Sequence, residues 1–469
     1  MALSVVAASA QSTASSQPSY AISKPSDFIG DQPKSEKNGN GDKKDENGNG
    51  KKKDNDKEDE LTWLSIHGQG TIVLQGNGRF RSPYEGPISL LSKFNYRTTE
   101  TATLFLAARV WEGGEIVFNP EIAGGVGLSG TMGMGGFPNG EATRVGVPQP
   151  TPYFARLLVR QTFGFGGEQE KIEDGPNTIA GYRDVNRLTI AFGKMSATDS
   201  LDNNRYSHDP RTQFLNWSLM YNGAWDYPAN VRGYTYGITF DLNQEEWAAR
   251  YGIFAVPTVA NGAELDPRFL RGEGHVVELE RRYECDDQPG RITFSVYANL
   301  AHMGKYRDSL ALSPINPDIT ATRSYRVKFG FGLNWEQKLN EELGVFARLG
   351  WNDDQTESWA FTEIGRTAAL GLLLKGNRWN RAEDEVGLAV VVNGLSDAHR
   401  DYLAAGGLGF IVGDGQLHYG AETILETYYN WQLKKGINLT FDFQLAFNPG
   451  YNQDRGPVAI GAVRLHFEY

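Results

Sequence analysis

Residues 456–469 read GPVAIGAVRLHFEY, and the order of side chains in this stretch decides the fold. Val463, Leu465, Phe467 and Tyr469 fall on one side of an extended chain, and Arg464, His466 and Glu468 fall on the other. A period of two belongs to a β-strand, whose successive side chains point to opposite faces. The strand therefore has one apolar side and one side that wants water or charged partners.

The preceding stretch repeats the pattern more strictly. Ile437, Leu439, Phe441, Phe443, Leu445 and Phe447 alternate with Asn438, Thr440, Asp442, Gln444 and Asn448. A strand of about ten residues, tilted by about 40°, crosses the apolar band of a membrane, about 25 Å tall. Further upstream, Tyr325, Val327, Phe329, Phe331, Leu333 and Trp335 alternate with Arg326, Lys328, Asn334 and Glu336. Ile292, Phe294, Val296, Ala298 and Leu300 alternate with Thr293, Ser295, Tyr297 and Asn299. Tyr234, Tyr236, Ile238, Phe240 and Leu242 alternate with Thr235, Thr239 and Asp241. The apolar faces alone would suit a buried sandwich as well as lipid. The charges decide: in a dry core each would cost several kcal/mol unless paired, whereas in a wet lumen it costs little.

Strands are expected near 62–75, 95–111, 114–119, 153–165, 185–195, 233–242, 246–256, 274–284, 290–302, 323–336, 340–352, 365–376, 384–395, 415–432, 434–448 and 456–469. The fold class is thus all-β, a transmembrane antiparallel β-barrel of about 16 strands, an even number as single-chain bacterial barrels require and wide enough for an aqueous channel. Short turns such as Asn340-Glu341-Glu342 and Lys434-Lys435-Gly436 should be periplasmic. Longer connections fall at 120–150, 196–232, 257–272, 303–322 and 396–414. The first is Gly-rich and almost uncharged, suited to folding into the pore and constricting it. Trp351, Trp359 and Trp379 suit an interfacial girdle better than stacking platforms inside the pore.

Composition agrees. The 469 residues include 55 Gly, 24 Phe, 21 Tyr and 10 Trp, without an apolar run long enough for a membrane helix. A net charge of −11 argues against a nucleic-acid partner. Cys285, a single cysteine, forms no internal disulfide. The seven histidines are scattered without metal-ligand spacing, so neither a metal nor a cofactor is expected. The glycines at 164–167 lack the lysine and strand-to-helix context of a phosphate loop. No catalytic constellation emerges, and an enzyme is not expected.

The chain divides into a partial signal peptide at 1–10, where Ala8-Ser9-Ala10 has the form of a cleavage site, a disordered charged linker at 11–60, and the barrel at 61–469. In residues 31–60, 8 basic and 10 acidic side chains leave nothing to bury.

A family resemblance enters at 109–144, RVWEGGEIVFNPEIAGGVGLSGTMGMGGFPNGEATR, which resembles the signature stretch of the carbohydrate-selective porin family of the OprB type. HGQGTIVLQGNGRFRSPYEG (67–86), LMYNGAWDYPANVRGYTYG (219–237), EEWAARYGIFAVP (245–257) and NPGYNQDRGPVAIGAVRLHFEY (448–469) resemble other parts of it in co-linear order. The resemblance implies a sixteen-stranded outer-membrane channel passing sugars by diffusion. The final strand resembles the C-terminal assembly signal of outer-membrane barrels. The partners implied are small sugars, outer-membrane lipid and lipopolysaccharide, and the barrel-assembly machinery, with the chain a homotrimer or a monomer. A porin for other small solutes, and a soluble all-β carbohydrate-binding protein or glycoside hydrolase, are the competing readings.

Sugar passage needs hydrogen-bonding groups in a narrow wet pore, with binding weak enough for release. By phase, Arg109 is opposed to Leu104, Leu106, Ala108 and Val110 and points inward. Arg109, Glu115, Asn119 and Glu121 are the candidate constriction residues leading into the 120–150 loop, and Glu422, Glu426 and Tyr428 form a second candidate pore-lining cluster.

Overall fold

The computed structural model describes residues 62–141, 149–268 and 270–469. The expected leader and linker at 1–60 lie outside these residues. The strands are β1 (Leu64–Asn77), β2 (Asn95–Trp111), β3 (Gly114–Gly125), β4 (Thr151–Gly164), β5 (Gln169–Ile172), β6 (Gly181–Asp184), β7 (Arg187–Met195), β8 (Thr235–Asn243) and β9 (Trp247–Ala255). They continue as β10 (Glu273–Cys285), β11 (Gln288–Met303), β12 (Ser324–Lys338), β13 (Leu343–Asn352), β14 (Arg366–Gly376), β15 (Arg381–Gly394), β16 (Glu422–Lys434), β17 (Ile437–Phe447) and β18 (Val458–Glu468). Sixteen of them close into an antiparallel barrel in chain order, with β4 paired directly to β7; β5 and β6 form a separate two-stranded hairpin.

Closure occurs between β1 and β18, where Gln69 faces Glu468 and Thr71 faces His466. It lies beside His67: Gly68 N–H donates to the Tyr469 carbonyl at 3.0 Å. Closure leaves no strand edge unpaired, which is the condition for β-structure in lipid.

The alternation sorts the side chains as expected. On β18 Val463 and Phe467 are exposed while Arg464 and His466 are buried; on β17 Phe441 and Phe443 are exposed while Thr440, Asp442 and Gln444 are buried. Exposed apolar side chains cover the outside of the barrel, far more than a water-facing surface carries. Trp63, Trp111, Trp247 and Trp431 ring the short-turn end, and Tyr96, Phe154, Phe192 and Tyr236 ring the other, as the aromatic belts of a membrane barrel do.

Four expectations are corrected. β3 does not stop at 119 but continues through Pro120 to Gly125. A register shift at Asn119/Pro120 absorbs the residue that has no N–H to give. β16 starts at Glu422, not 415, because positive φ at Gly413 and Gly415 bends the preceding chain into a loop. Tyr234 is not on the outer face: β8 begins one residue later, and Tyr234 turns inward, its hydroxyl 3.4 Å from the Glu121 carboxylate. Trp359 is not a girdle residue; it is buried inside the 353–365 loop and donates from Nε1 to the Pro257 carbonyl at 2.7 Å. Trp351 does face outward, stacked on Phe331.

The long connections gather at one end and fold into the lumen. Residues 126–141 bury Met134 and Phe137 there, and loop 196–234 buries Trp217, Met220, Tyr221 and Tyr227. Phe137, Trp217, Phe361 and Tyr227 stack in series, with centroids 5.0, 5.4 and 4.8 Å apart. Short helices α1 (Trp217–Met220), α2 (Tyr306–Leu312) and α3 (Asp397–Ala404) lie in these loops.

Candidate functional site

At the short-turn end the lumen stays open as a cavity of about 1990 Å³, well above the roughly 300–1,000 Å³ of a small-molecule pocket. Inward positions of β4, β7 and β9–β11 give it an arginine wall: Arg160, Arg187, Arg250, Arg282 and Arg291 all line it. Each guanidinium is matched by carboxylates. Arg250 lies 2.9 Å from Glu278, 2.8 Å from Glu280 and 3.2 Å from Asp241. Arg291 reaches Glu336 at 2.9 Å, and Arg282 reaches Glu280 at 2.7 Å. Paired in this way, the charges stay fixed in place while presenting donors and acceptors to the space they enclose.

The residues singled out in the sequence separate into two groups. Arg109 and Glu115 border the cavity next to the β2–β3 turn. They lie 3.9 Å apart, and Glu115 also holds Arg160 at 2.6 Å. Asn119, fully buried, donates from Nδ2 to Asn177 at 2.7 Å. Glu121 accepts from the Thr103 hydroxyl at 2.7 Å and from the Tyr153 hydroxyl. The second cluster lies under the inserted loops. Glu422 accepts backbone N–H groups of Gly135, Gly136 and Gly450 at 3.2, 2.7 and 2.8 Å. Glu426 accepts those of Leu215 and Asn216 at 2.5 and 3.0 Å. Tyr428 packs edge-on against Phe214.

Residues the sequence reading missed are the arginine wall and its acids. The signal was there: Glu278, Glu280 and Arg282 are spaced by two on β10, in phase with the inward Val276.

The loops are tied down by buried polar groups. Glu141 meets Arg211 at 3.2 Å and accepts the Thr101 hydroxyl at 2.5 Å; burial pushes its carboxyl up, against the pull of Arg211. Glu363 accepts N–H groups of Phe410, Ile411 and Val412, and burial raises its pKa too. Burial also acts to raise Asp354, but His399 at 3.0 Å, together with Lys328 and the Ser396 N–H, outweighs it and holds the carboxyl below its usual range. His208 is buried edge-on against Tyr221, and burial, with Arg348 and Arg291 nearby, pushes its pKa down to about 3. Among the described residues, no cluster of three or more His, Cys, Asp or Glu side chains is arranged to hold a metal ion.

A family model described as carbohydrate-selective porin, OprB family, matches residues 96–469. A curated relative, porin AaxA of Chlamydia abortus, is 24% identical over 287 residues, 60% of this chain and 54% of the relative, so the match spans about half of that protein. Among solved structures, the high-pH structure of Pseudomonas putida OprB superposes with a TM-score of 0.66 at 14% identity, over 87% of this chain and 94% of that one. The outer-membrane channel DcaP of Acinetobacter baumannii gives 0.50 at 8% identity, over 87% and 97%. At these identities the two structures speak for the fold.

Proposed function

The chain belongs to the OprB family of carbohydrate-selective porins, and we propose that it is an outer-membrane channel admitting mono- and small oligosaccharides to the periplasm by passive diffusion. The observation that carries this reading is the wet cavity inside a closed barrel, walled by fixed guanidinium–carboxylate pairs. Sugar hydroxyls both donate and accept, so a wall that offers donors and acceptors side by side replaces the hydration they lose. Binding of this kind is weak and repeated, which lets the solute leave. No bond is made or broken.

Arg109 and Glu115, with Arg160, Arg250 and Arg291, are the groups we assign to solute contact, because they border the cavity. Asn119, Glu121, Glu422, Glu426 and Tyr428 act one step back, holding in place the segments that narrow the lumen. The C-terminal strand, with Phe467 outward, serves the barrel-assembly machinery as its recognition element, and lipopolysaccharide surrounds the long-loop end.

Liposome swelling with glucose, maltose and an amino acid of similar size tests the function. Faster swelling with the sugars is expected; equal rates for all three would remove the carbohydrate preference. Purification from the soluble periplasm without detergent would remove the barrel itself.

A further inference from the structure

The turns at the periplasmic end have two to four residues, with one exception: the link from β4 to β7 runs through residues 165–186. Part of it forms the β5–β6 hairpin. The tip between those strands, Glu173–Ala180, turns back into the barrel. A tight turn closes it, with Gly175 and Thr178 exchanging backbone bonds at 3.1 and 2.9 Å.

Four consecutive strands hold this tip against one wall. His67 of β1 meets Asp174 at 2.8 Å, and Ser65 donates to the Gly175 carbonyl at 3.3 Å. Arg109 of β2 donates to the Ala180 carbonyl at 3.4 Å. Asn119 of β3 donates to the Asn177 side chain at 2.7 Å, and Arg160 of β4 donates to the Asn177 carbonyl at 2.8 Å. Asn177 is 1% and Ile179 3% exposed, and Ile179 packs in one buried cluster with Leu158 and Met195. The cavity lies between this tip and the arginine wall: Asp174, Thr178 and Ile179 line one side, Arg187, Arg250 and Arg282 the other.

We infer that residues 173–180 form a fixed strap across the periplasmic part of the lumen that sets the size limit for solutes, with Thr178 and Ile179, which line the cavity, as the size-determining side chains and Asn177 as an anchor. The inference rests on the porin reading. The anchors to Ser65, His67, Arg109, Asn119 and Arg160 are all on the β1–β4 side, so the strap takes width from the passage without blocking it. It also gives Asn119 its task and Arg109 a second one beside bordering the cavity, since both hold the strap.

The test is liposome swelling with glucose, maltose and maltotriose. It compares wild type with a variant whose residues 173–180 are replaced by a short Gly-Ser linker, and with Thr178→Ala/Ile179→Ala. Heat-modifiable gel migration reports that each barrel is folded; should the linker variant not fold, the double substitution decides alone. Wild type should discriminate steeply by size, and the strap variants should raise the maltotriose-to-glucose ratio several-fold. An unchanged ratio in the folded variants, with glucose still passing, overturns the strap and leaves the porin reading intact. A wild type that passes no sugar overturns the porin reading and the strap with it.

Discussion

Acid should loosen the loop that narrows the upper lumen, and His208 makes the size of the effect calculable. The imidazole is buried in loop 196–234 with its pKa pushed down to about 3 from 6.5. Above pH 6.5 the ring is neutral whether the loop is docked or free, and docking is unaffected. Below 6.5 the free loop takes a proton that the docked loop refuses, so docking weakens as pH falls, until about pH 3. At about 1.4 kcal/mol per pH unit the loss is about 2 kcal/mol at pH 5 and about 5 kcal/mol in full. Glu141 works in the opposite sense: its pKa is raised by burial, so its contribution is complete at low pH and lost as pH rises. The quantity to measure is therefore a difference. His208→Phe keeps a ring against Tyr221 but cannot titrate. Hydrogen exchange of loop amides such as Leu219, measured from pH 7 to 4, should give protection factors that diverge between wild type and variant by about tenfold per pH unit below 6.5. A difference that stays constant across that range would refute the reasoning.

Other substitutions test the wall, the anchors and the lipid face. Arg250→Met strips the common partner from Glu278, Glu280 and Asp241; a loss of about 3–5 kcal/mol is expected for a broken buried pair, read as a lower temperature for the heat-induced gel shift, and Glu280→Gln on top should restore part of it. Glu422→Ala leaves three backbone N–H groups without their acceptor, two of them at Gly135 and Gly136; at about 1 kcal/mol each this should open residues 126–141 to protease cleavage while the barrel stays heat-modifiable. Phe443→Arg puts a guanidinium on the lipid face midway along β17, and urea titration in lipid should show about 2–4 kcal/mol lost.

The barrel was legible because lipid and lumen impose opposite demands on alternate residues, and nothing else in the chain imposes that period. A count of about sixteen strands and their phase follow from it, and the structure closes the barrel accordingly between β1 and β18. Phase says only that a side chain points inward, however. It does not say whether water or another part of the chain meets it there. Glu422 and Glu280 look alike by alternation, yet one holds the backbone of a loop and the other borders the cavity. The strap at 173–180 was invisible for a related reason: its contacts are with residues far away in sequence, and it has no period of its own.

One local cue does separate the two kinds of inward position. Gly332 and Gly350 are inward and adjacent on β12 and β13, and a Cβ at either would collide with Asn222 of loop 196–234. At Gly344, also inward, it would collide with Tyr206 of the same loop. Glycine weakens a strand, so its presence on the lumen face calls for something that needs the room. Where inward glycines cluster, as across β12 and β13, the wall has been thinned to receive a loop. Where arginine and glutamate follow one another inward beside the cavity, as at Glu280 and Arg282, the wall is left open to it. Read with that distinction, the alternation that identifies the barrel also points to the side of it that does the work.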